Sequence, residues 1–388
     1  MKDTFISENI VYIGADDKTI DLFESQYIVP NGVSYNSYLI KDEKIAIMDT
    51  VDPRAGEEWF ENLERALAGR APDYLVVLHM EPDHAGNIAR VAEKYPKMQI
   101  VANAKTFPMM KQFFGTDYAE RNLVVAEGDT LSLGAHTLTF VMAPMVHWPE
   151  VMVAYESQEK ILFSADGFGK FGALDTEEDW ACEARRYYFN IVGKYGAQVQ
   201  ALLKKAAGLD IQMICPLHGP ILKENLGYYI EKYNIWSSYQ PEDKGILVAS
   251  ASIHGNTKAA ALKLVEKLQA QTDEKVAFTD LTREDMAEAI EDAFRYDRLV
   301  VCCPTYDGGL FPVMEDFIHH LKAKAYQKRT VGFVENGTWA PTAGKQMRAL
   351  FEGMKEITLL EPGVTIRSVL NEESEKQMDA LVQALLQK

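Results

Sequence analysis

Cysteine is scarce in this chain of 388 residues. There are four, Cys182, Cys215, Cys302 and Cys303, and no two stand in a Cys-x-x-Cys pair. That excludes a disulfide framework and a thiolate metal knuckle, and a reducing cytoplasm is the expected compartment. Cys302 and Cys303 sit in the apolar run RLVVCCP and are expected to be buried and inert. Positive charge is short as well: 40 Lys and Arg stand against 57 Asp and Glu, for a net charge of -17. The deficit is uneven. Residues 243–388 hold 18 basic against 22 acidic side chains, and residues 1–242 hold 22 against 35. Such a surface repels phosphate backbones and anionic membranes. No Lys/Arg cluster with interleaved aromatics offsets it, so nucleic acid is not an expected partner. No uninterrupted apolar stretch is long enough to span a bilayer. The opening MKDTFISENIVYIGADDKT has acidic residues where a secretory signal needs an apolar run. Internal repeats and low-complexity tracts are absent.

What remains has the composition of a soluble globular protein, 47% hydrophobic and 25% charged. Its length predicts two domains. The polar, proline-bearing stretch SSYQPEDKG (237–245) separates two rhythms, so the domains are expected at 1–242 and 243–388. Before it, short apolar runs broken by turns dominate: SYNSYLI, KIAIMDT, YLVVLHM, QIVANA, TLTFVMA, VMVAYE, KILFSAD and IQMICPLH. Scattered helices such as EEWFENLERALAG lie between some of them. That pattern predicts a β-rich layered domain. After the boundary, strand and helix alternate: GILVAS, VAFTDL, RLVVCCP and TVGFVEN each lead into a helix. A last strand near EITLLEP or GVTIRSV precedes EKQMDALVQALLQ. Leu262, Val265 and Leu268 are expected to share one face of the first of these helices. Five βα units predict an open, doubly wound parallel sheet.

The densest chemistry lies in HMEPDHAGN (79–87), directly after YLVVL. His79 and Glu81 are two apart and face the same way on an extended backbone. Pro82 stops the strand, which leaves Asp83 and His84 in a turn. A solvated polar turn would explain these four alone. Three further ligand-type residues also follow apolar runs: His147 after TFVMAPMV, Asp166 after KILFSA, and His218 after IQMICPL. Together they make four imidazoles and three carboxylates, too many for one tetrahedral zinc and enough for two metals. Mixed imidazole and carboxylate ligation suits iron or manganese better than a structural zinc. Asp166, alone on its strand, is the candidate to bridge two ions about 3.5–4 Å apart. His136, His319 and His320 read as ordinary hydrogen-bonded histidines.

A second signal is SASIHGNT (250–257), between the strand GILVA and a helix. Hydroxyls, a glycine and helix N-terminal amides make a phosphate cradle, with a plain capped turn as the equal competitor. The triphosphatase lysine and the dinucleotide glycine pattern are both missing, so a monophosphate fits better. PTYDGG (304–309) and NGTWAP (336–341) follow the third and fourth strands, where ligands of such sheets bind. Each carries glycine and one aromatic, Tyr306 and Trp339, placed to flank a planar ring.

These residues resemble a known family. H-x-E-x-D-H, with His147, Asp166 and His218 downstream, is similar to the metallo-β-lactamase-like domain of flavodiiron proteins. The zinc hydrolases of that superfamily carry H-x-H-x-D-H, with His where Glu81 stands. YNSYLI and IMDTVDP are similar to that fold's opening strands, and residues 244–388 resemble a flavodoxin domain. The fold implied is α/β, an αββα sandwich followed by a flavodoxin-like doubly wound parallel sheet. By this resemblance one iron takes His79, Glu81 and His147. The other takes Asp83 and His218, with Asp166 bridging, and His84 either binds or swings away. A tyrosine near the irons lies in ARRYYFNIV, as Tyr187 or Tyr188. The segment from Asp166 to His218 is shorter than is usual in the family, between Leu174 and Trp180, so the loop over the site is expected to differ.

The resemblance also implies one FMN. Its phosphate would lie on Ser250, Ser252, His254, Asn256 and Thr257, with Ile253 and Gly255 in the same loop. Its ring would lie against Pro304, Thr305, Tyr306, Asp307, Gly308 and Gly309, and against Asn336, Gly337, Thr338, Trp339 and Ala340. The family reduces dioxygen to water, nitric oxide to nitrous oxide, or both. No rubredoxin module is appended, so a separate rubredoxin-like carrier is the expected donor. A head-to-tail homodimer is implied, with the flavin of one subunit beside the irons of the other. Two rival readings remain. A zinc hydrolase fused to a flavodoxin requires His at position 81, and a plain electron carrier that has lost its metals requires gaps among the ligands.

Overall fold

The computed structural model describes residues 6–387. Among these the chain forms two compact units. One runs to Tyr188 and resumes over Ala197–Asn234; the other comprises Phe189–Gly196 and the chain from Ile235 onward. A single cut at 242 misses the short segment Phe189–Gly196. Phe189 stacks on Phe294, with ring centroids 4.2 Å apart and planes 13° off parallel. Asn190 donates from Nδ2 to the Ala287 carbonyl (3.1 Å). Both partners lie about a hundred residues away, so no local pattern announces them. Among the described residues no helix is long and apolar enough to cross a membrane.

The first unit is built on two main sheets. The six-stranded one runs Ile10–Tyr12, Tyr38–Lys41, Ile45–Met48, Tyr74–Val76, Gln99–Asn103 and Asn122–Val125. The five-stranded one runs Thr130–Ser132, Thr137–Met142, Met152–Glu156, Ile161–Phe163 and Met213–Cys215. Ile45–Met48, Met152–Glu156 and Ile161–Phe163 are buried at every position. Strands covered on both faces read as continuous apolar runs, which is why the sequence shows no alternation there. Helix Gly56–Leu67 buries Trp59, Phe60, Leu63 and Leu67 on one stripe. This is the metallo-β-lactamase-like layered arrangement.

Register delivers the site. Ile161–Phe163 and Met213–Cys215 pair in parallel, with Phe163 opposite Cys215. Asp166 and His218 each follow three residues later, so both emerge at one end of the sheet. Tyr74–Val76 presents His79 by the same three-residue step.

The second unit is flavodoxin-like. Its strands lie in the order Lys275–Asp280, Asp243–Ser250, Tyr296–Tyr306, Thr330–Asn336 and then a fifth in two pieces, all in parallel. That is order 2-1-3-4-5 of a doubly wound sheet. Both candidates for the last strand are used: Thr358–Leu359 and Val364–Ile366 each pair with Thr330–Asn336, on either side of Pro362. Helix Asn256–Gln269 buries Ala260, Ala261, Leu264, Val265 and Leu268. Leu262 departs from the expectation and is 40% exposed. The 3.6-residue turn carries the inner stripe through Ala261 and Leu264, and Leu262 falls beside it. Cys302 and Cys303 are buried, and burial pushes both thiols up, Cys303 to about 12.

Candidate metal centre and cofactor cradle

The turn after His79 is a helical one. Glu81 is the extended N-cap of a four-residue helix, Pro82–Ala85, with the proline at its first position. Proline there is pre-organised and lacks only an N–H that would be orphaned anyway. Thr50 holds the turn from outside: its backbone N–H and its hydroxyl both donate to the His84 carbonyl, at 2.9 and 2.5 Å. Asp83 and His84 are thereby aimed inward, and both are buried.

The seven side chains converge as two groups, His79, Glu81, His147 and Asp166 in one, Asp83, His84 and His218 in the other. Within each, the donor atoms lie within 4.8 Å of one another. Asp166 joins them. Its Oδ2 stands 3.3 Å from His79 Nε2 and 2.9 Å from His147 Nε2. Its Oδ1 stands 3.2 Å from His84 Nε2 and 3.9 Å from His218 Nε2. His84, left open by the sequence, turns Nε2 into the second group, 3.2 Å from Asp83 Oδ2 and 3.0 Å from His218 Nε2.

These atoms fit a cation. His79 donates from Nδ1 to Glu150 Oε1, and His218 from Nδ1 to the Ser34 carbonyl, each at 2.8 Å. With the proton on Nδ1, each ring turns the Nε2 lone pair inward, toward carboxylate oxygens that also carry lone pairs. Lone pairs so opposed repel unless a positive charge lies between them. His147 Nε2, Asp83 Oδ2 and both oxygens of Asp166 stand close to their neighbours without hydrogen-bond geometry, and these atoms and Asp83 Oδ1 are buried without a hydrogen bond. The field agrees. Burial would lower the proton affinity of the rings, but the carboxylates reverse it. Asp166 leads for His79 and His147, and Asp83 leads for His84. His84 rises to about 10, His147 to about 9, and His79 also rises. Burial would raise Glu81, Asp83 and Asp166, yet the neighbouring imidazoles hold all three below the usual carboxylate range. A cluster that stabilises protons on imidazole competes equally for a metal ion at the same lone pairs.

The tyrosine choice falls to Tyr187. Its ring centroid is 5.5 Å from that of His218. Burial, and then Asp166, Asp83 and Glu81, push its phenol far up, so it keeps its proton. Tyr188 packs instead on Tyr233. Sequence reading missed two buried carboxylates. Glu150 Oε1 accepts from both His79 Nδ1 and the Met80 N–H. Asp49 Oδ1 accepts from the Leu78 N–H, at 2.8 Å. Glu150 stands three residues after His147, and that spacing is its only sequence signal. His136 is the hydrogen-bonded residue expected, between Asp42 and Glu159.

In the second unit a cavity of about 550 Å³ opens at the carboxyl ends of the strands, within the range of small-molecule sites. Every residue expected at the flavin lines it except Ser250, Gly255 and Gly309. Ser250 is wholly buried and its hydroxyl has no hydrogen-bond partner. Gly309 pairs with Tyr306 in a short hairpin. Gly255 serves through its backbone: at φ +93° it starts helix Asn256–Gln269 and donates its N–H to Ser252 Oγ. Asn256 and Thr257, the first two residues of that helix, line the cavity, and a helix N-terminus is a place for an anion. Trp339 is 86% exposed. Ser368 lines the cavity too. Its N–H donates to Asn336 Oδ1 and its hydroxyl pairs with that of Thr338. It follows the fifth strand, so the rule that placed the other loops applies to it as well.

Comparison with known proteins agrees with both halves. The model of the ODP family beta lactamase matches residues 33–219, and that of a flavodoxin domain matches residues 247–379. An uncharacterized protein of Methanocaldococcus jannaschii is 30% identical over 383 residues, 96% of this chain and 95% of its own. An anaerobic nitric oxide reductase flavorubredoxin of Vibrio vulnificus is 28% identical over 86% of this chain and 69% of its own. Among solved structures, the rubredoxin oxygen:oxidoreductase from Desulfovibrio gigas superposes with a TM-score of 0.92 at 25% identity, covering 100% of this chain and 98% of that one. The flavodiiron protein from Giardia intestinalis gives the same TM-score and identity, covering 100% and 96%.

Proposed function

The chain belongs to the flavodiiron proteins, a family of oxidoreductases, and from that premise we propose that it reduces dioxygen to water, nitric oxide to nitrous oxide, or both. In this reading the seven side chains hold two irons and the cavity of the second unit holds one FMN. A separate rubredoxin-like protein in the cytoplasm supplies the electrons. The observation that carries the reading is Asp166, which turns one oxygen to His79 and His147 and the other to His84 and His218. A carboxylate divided between two donor groups is what a bridged pair of cations needs. Glu81, where zinc hydrolases carry His, speaks against the hydrolase, and a complete donor set speaks against a carrier that has lost its metals.

Two ferrous ions and a two-electron-reduced flavin, when bound, supply the four electrons that take dioxygen to water, and two electrons suffice for a pair of nitric oxide molecules. The chain's own part is to position and to hold protons. Glu150 and the Ser34 carbonyl fix the tautomers of His79 and His218, so that Nε2 faces the centre. Tyr187 keeps its phenolic proton beside His218 and is placed to hold a proton there. The cradle amides of helix Asn256–Gln269 hold a phosphate, and the loops after the third and fourth strands accept a planar ring. Ser368 pins the second of those loops.

The test is metal and flavin analysis of anaerobically prepared protein, then reduction by rubredoxin and its reductase and a pulse of each gas. Two irons and one FMN per chain are expected, with gas consumed and little peroxide released. One zinc and no iron, or stoichiometric hydrogen peroxide without nitric oxide consumption, would refute the assignment. A head-to-tail homodimer belongs to the same reading; full turnover by a monomer at high dilution would contradict it.

A further inference from the structure

The first unit holds a second cavity, of about 210 Å³, that the reading above does not use. Its walls include Val153, Leu162, Val199, Leu202 and Ile214. Of the side chains lining it, only those of Ser164 and Tyr233 carry a hydroxyl, and both are engaged. Ser164 Oγ donates to the Gly167 carbonyl, and Tyr233 Oη accepts from the Phe168 N–H, each at 2.6 Å. A buried water needs two to four polar partners, whereas an aliphatic cavity of about 150 Å³ stays dry and binds benzene or xenon. This cavity has the same aliphatic lining, and it opens at one side past Ala207 and Ile230, which are exposed.

Its place gives it a use. Ser164, Gly167 and Phe168 line it, and Asp166 lies among them with both oxygens turned to the imidazoles. Val146 lines it too, and the next residue is His147. Two loops thus serve the metal cluster with one residue and wall the cavity with its neighbours. Phe168 is held there by stacking on Tyr233, centroids 4.2 Å apart. We propose that this cavity binds an apolar diatomic gas and supplies it to the centre beside it. The proposal rests on the reading of the reaction as gas reduction. Dioxygen and nitric oxide are uncharged, accept hydrogen bonds poorly and leave water for apolar surroundings. An apolar pocket one residue behind the ligands raises their local concentration there.

The probe is xenon, followed by its NMR shift on the full-length protein and by pressurised crystals. Wild-type protein should bind xenon between Phe168, Val199 and Leu202. Ala206→Phe should abolish that binding, and Ala207→Leu, at an exposed position that tolerates bulk, should weaken it. Neither touches the metal or flavin sites, so iron and FMN content should stay unchanged. The KM for dioxygen or nitric oxide should rise several-fold with kcat at saturating gas unaltered, the mark of lost binding rather than lost chemistry. No xenon in the wild-type cavity overturns the proposal, whatever the enzyme does. Xenon binding that is lost in both variants while the gas KM stays put overturns the supply role. A chain without iron or gas turnover would instead refute the functional reading, and the xenon result would still decide whether the cavity holds an apolar gas.

Discussion

Removing Glu150 tests the tautomer argument directly. The side chain is 1% exposed and one oxygen does two jobs, accepting from His79 Nδ1 and from the Met80 N–H, both at 2.8 Å. Glu150→Ala strands both donors in a buried place, at about 1–3 kcal/mol each. It also frees His79 to rotate or to move its proton to Nε2, which would close the lone pair the metal needs. Loss of such a supporting carboxylate typically costs about 10–100-fold in metal affinity, or about 1.4–2.7 kcal/mol. Glu150→Gln keeps one acceptor oxygen but loses the charge, so its effect should fall between wild type and Ala. The assay is dialysis of iron-loaded protein against rising chelator, with iron counted at each step and the melting temperature recorded for the metal-free forms. Retention of both irons by Glu150→Ala at the wild-type midpoint would show that His79 needs no carboxylate behind it.

Three more tests follow from the same geometry. Asp166→Ala should lose more metal than Ala at Glu81 or Asp83, because each oxygen serves a different group; equal loss at all three in iron analysis would remove the bridge. Burial lowers His136, but Asp42 and Glu159 raise its pKa on balance, while the hydrogen bonds from His136 lower Asp42 on balance. The stability from raised His136 is complete below its unfolded pKa near 6.5 and fades as pH rises through the folded value, and that from lowered Asp42 fades as pH falls below about 3.9. The melting-temperature gap between wild type and His136→Gln should therefore be wider at pH 5.5 than at pH 8.5, and a gap that widens upward would contradict the pairing. A fragment of residues 244–388 should fold and turn yellow with FMN, since every cavity-lining loop lies within it. Without Phe189 it uncovers Phe294, a stack worth about 0.5–1.5 kcal/mol; a folded fragment that never binds flavin would defeat the cradle.

The donor residues were legible because each departs from its surroundings in type and place. Parallel strands in register release Asp166 and His218 at one level, and charged or imidazole side chains directly after apolar runs stand out in the sequence. The loops around the cavity of the second unit were legible for the same reason, since ligand sites in such sheets follow the strand ends. Ser368 escaped only because the fifth strand is split at Pro362, which blurred where its end lies. Ser250 and Gly309 were drawn in by adjacency: the Ser250 hydroxyl is buried within its strand, and hairpin pairing occupied Gly309. That Phe189–Gly196 belongs to the second unit depends on residues about a hundred positions away, and the apolar cavity of the first unit depends on what several separate segments leave unfilled.

Supporting groups divide by what they offer. His218 is oriented by the carbonyl of Ser34, and His84 by the backbone position that Thr50 grips. A carbonyl belongs to every residue, so nothing in the sequence marks Ser34 as the partner. Substituting its side chain would remove only the hydroxyl that caps the Gly219 N–H. Glu150 differs, because only a carboxylate or amide at that place can take two N–H donors on one oxygen. The His79 group therefore rests on a side chain that mutation can remove, and the His84 and His218 group on backbone that mutation cannot. Chelation in the Glu150 variants should accordingly strip the His79 group first, with the His84 and His218 group holding longer. Loss of both irons together would mean that Asp166 couples the two groups more strongly than their separate supports distinguish them.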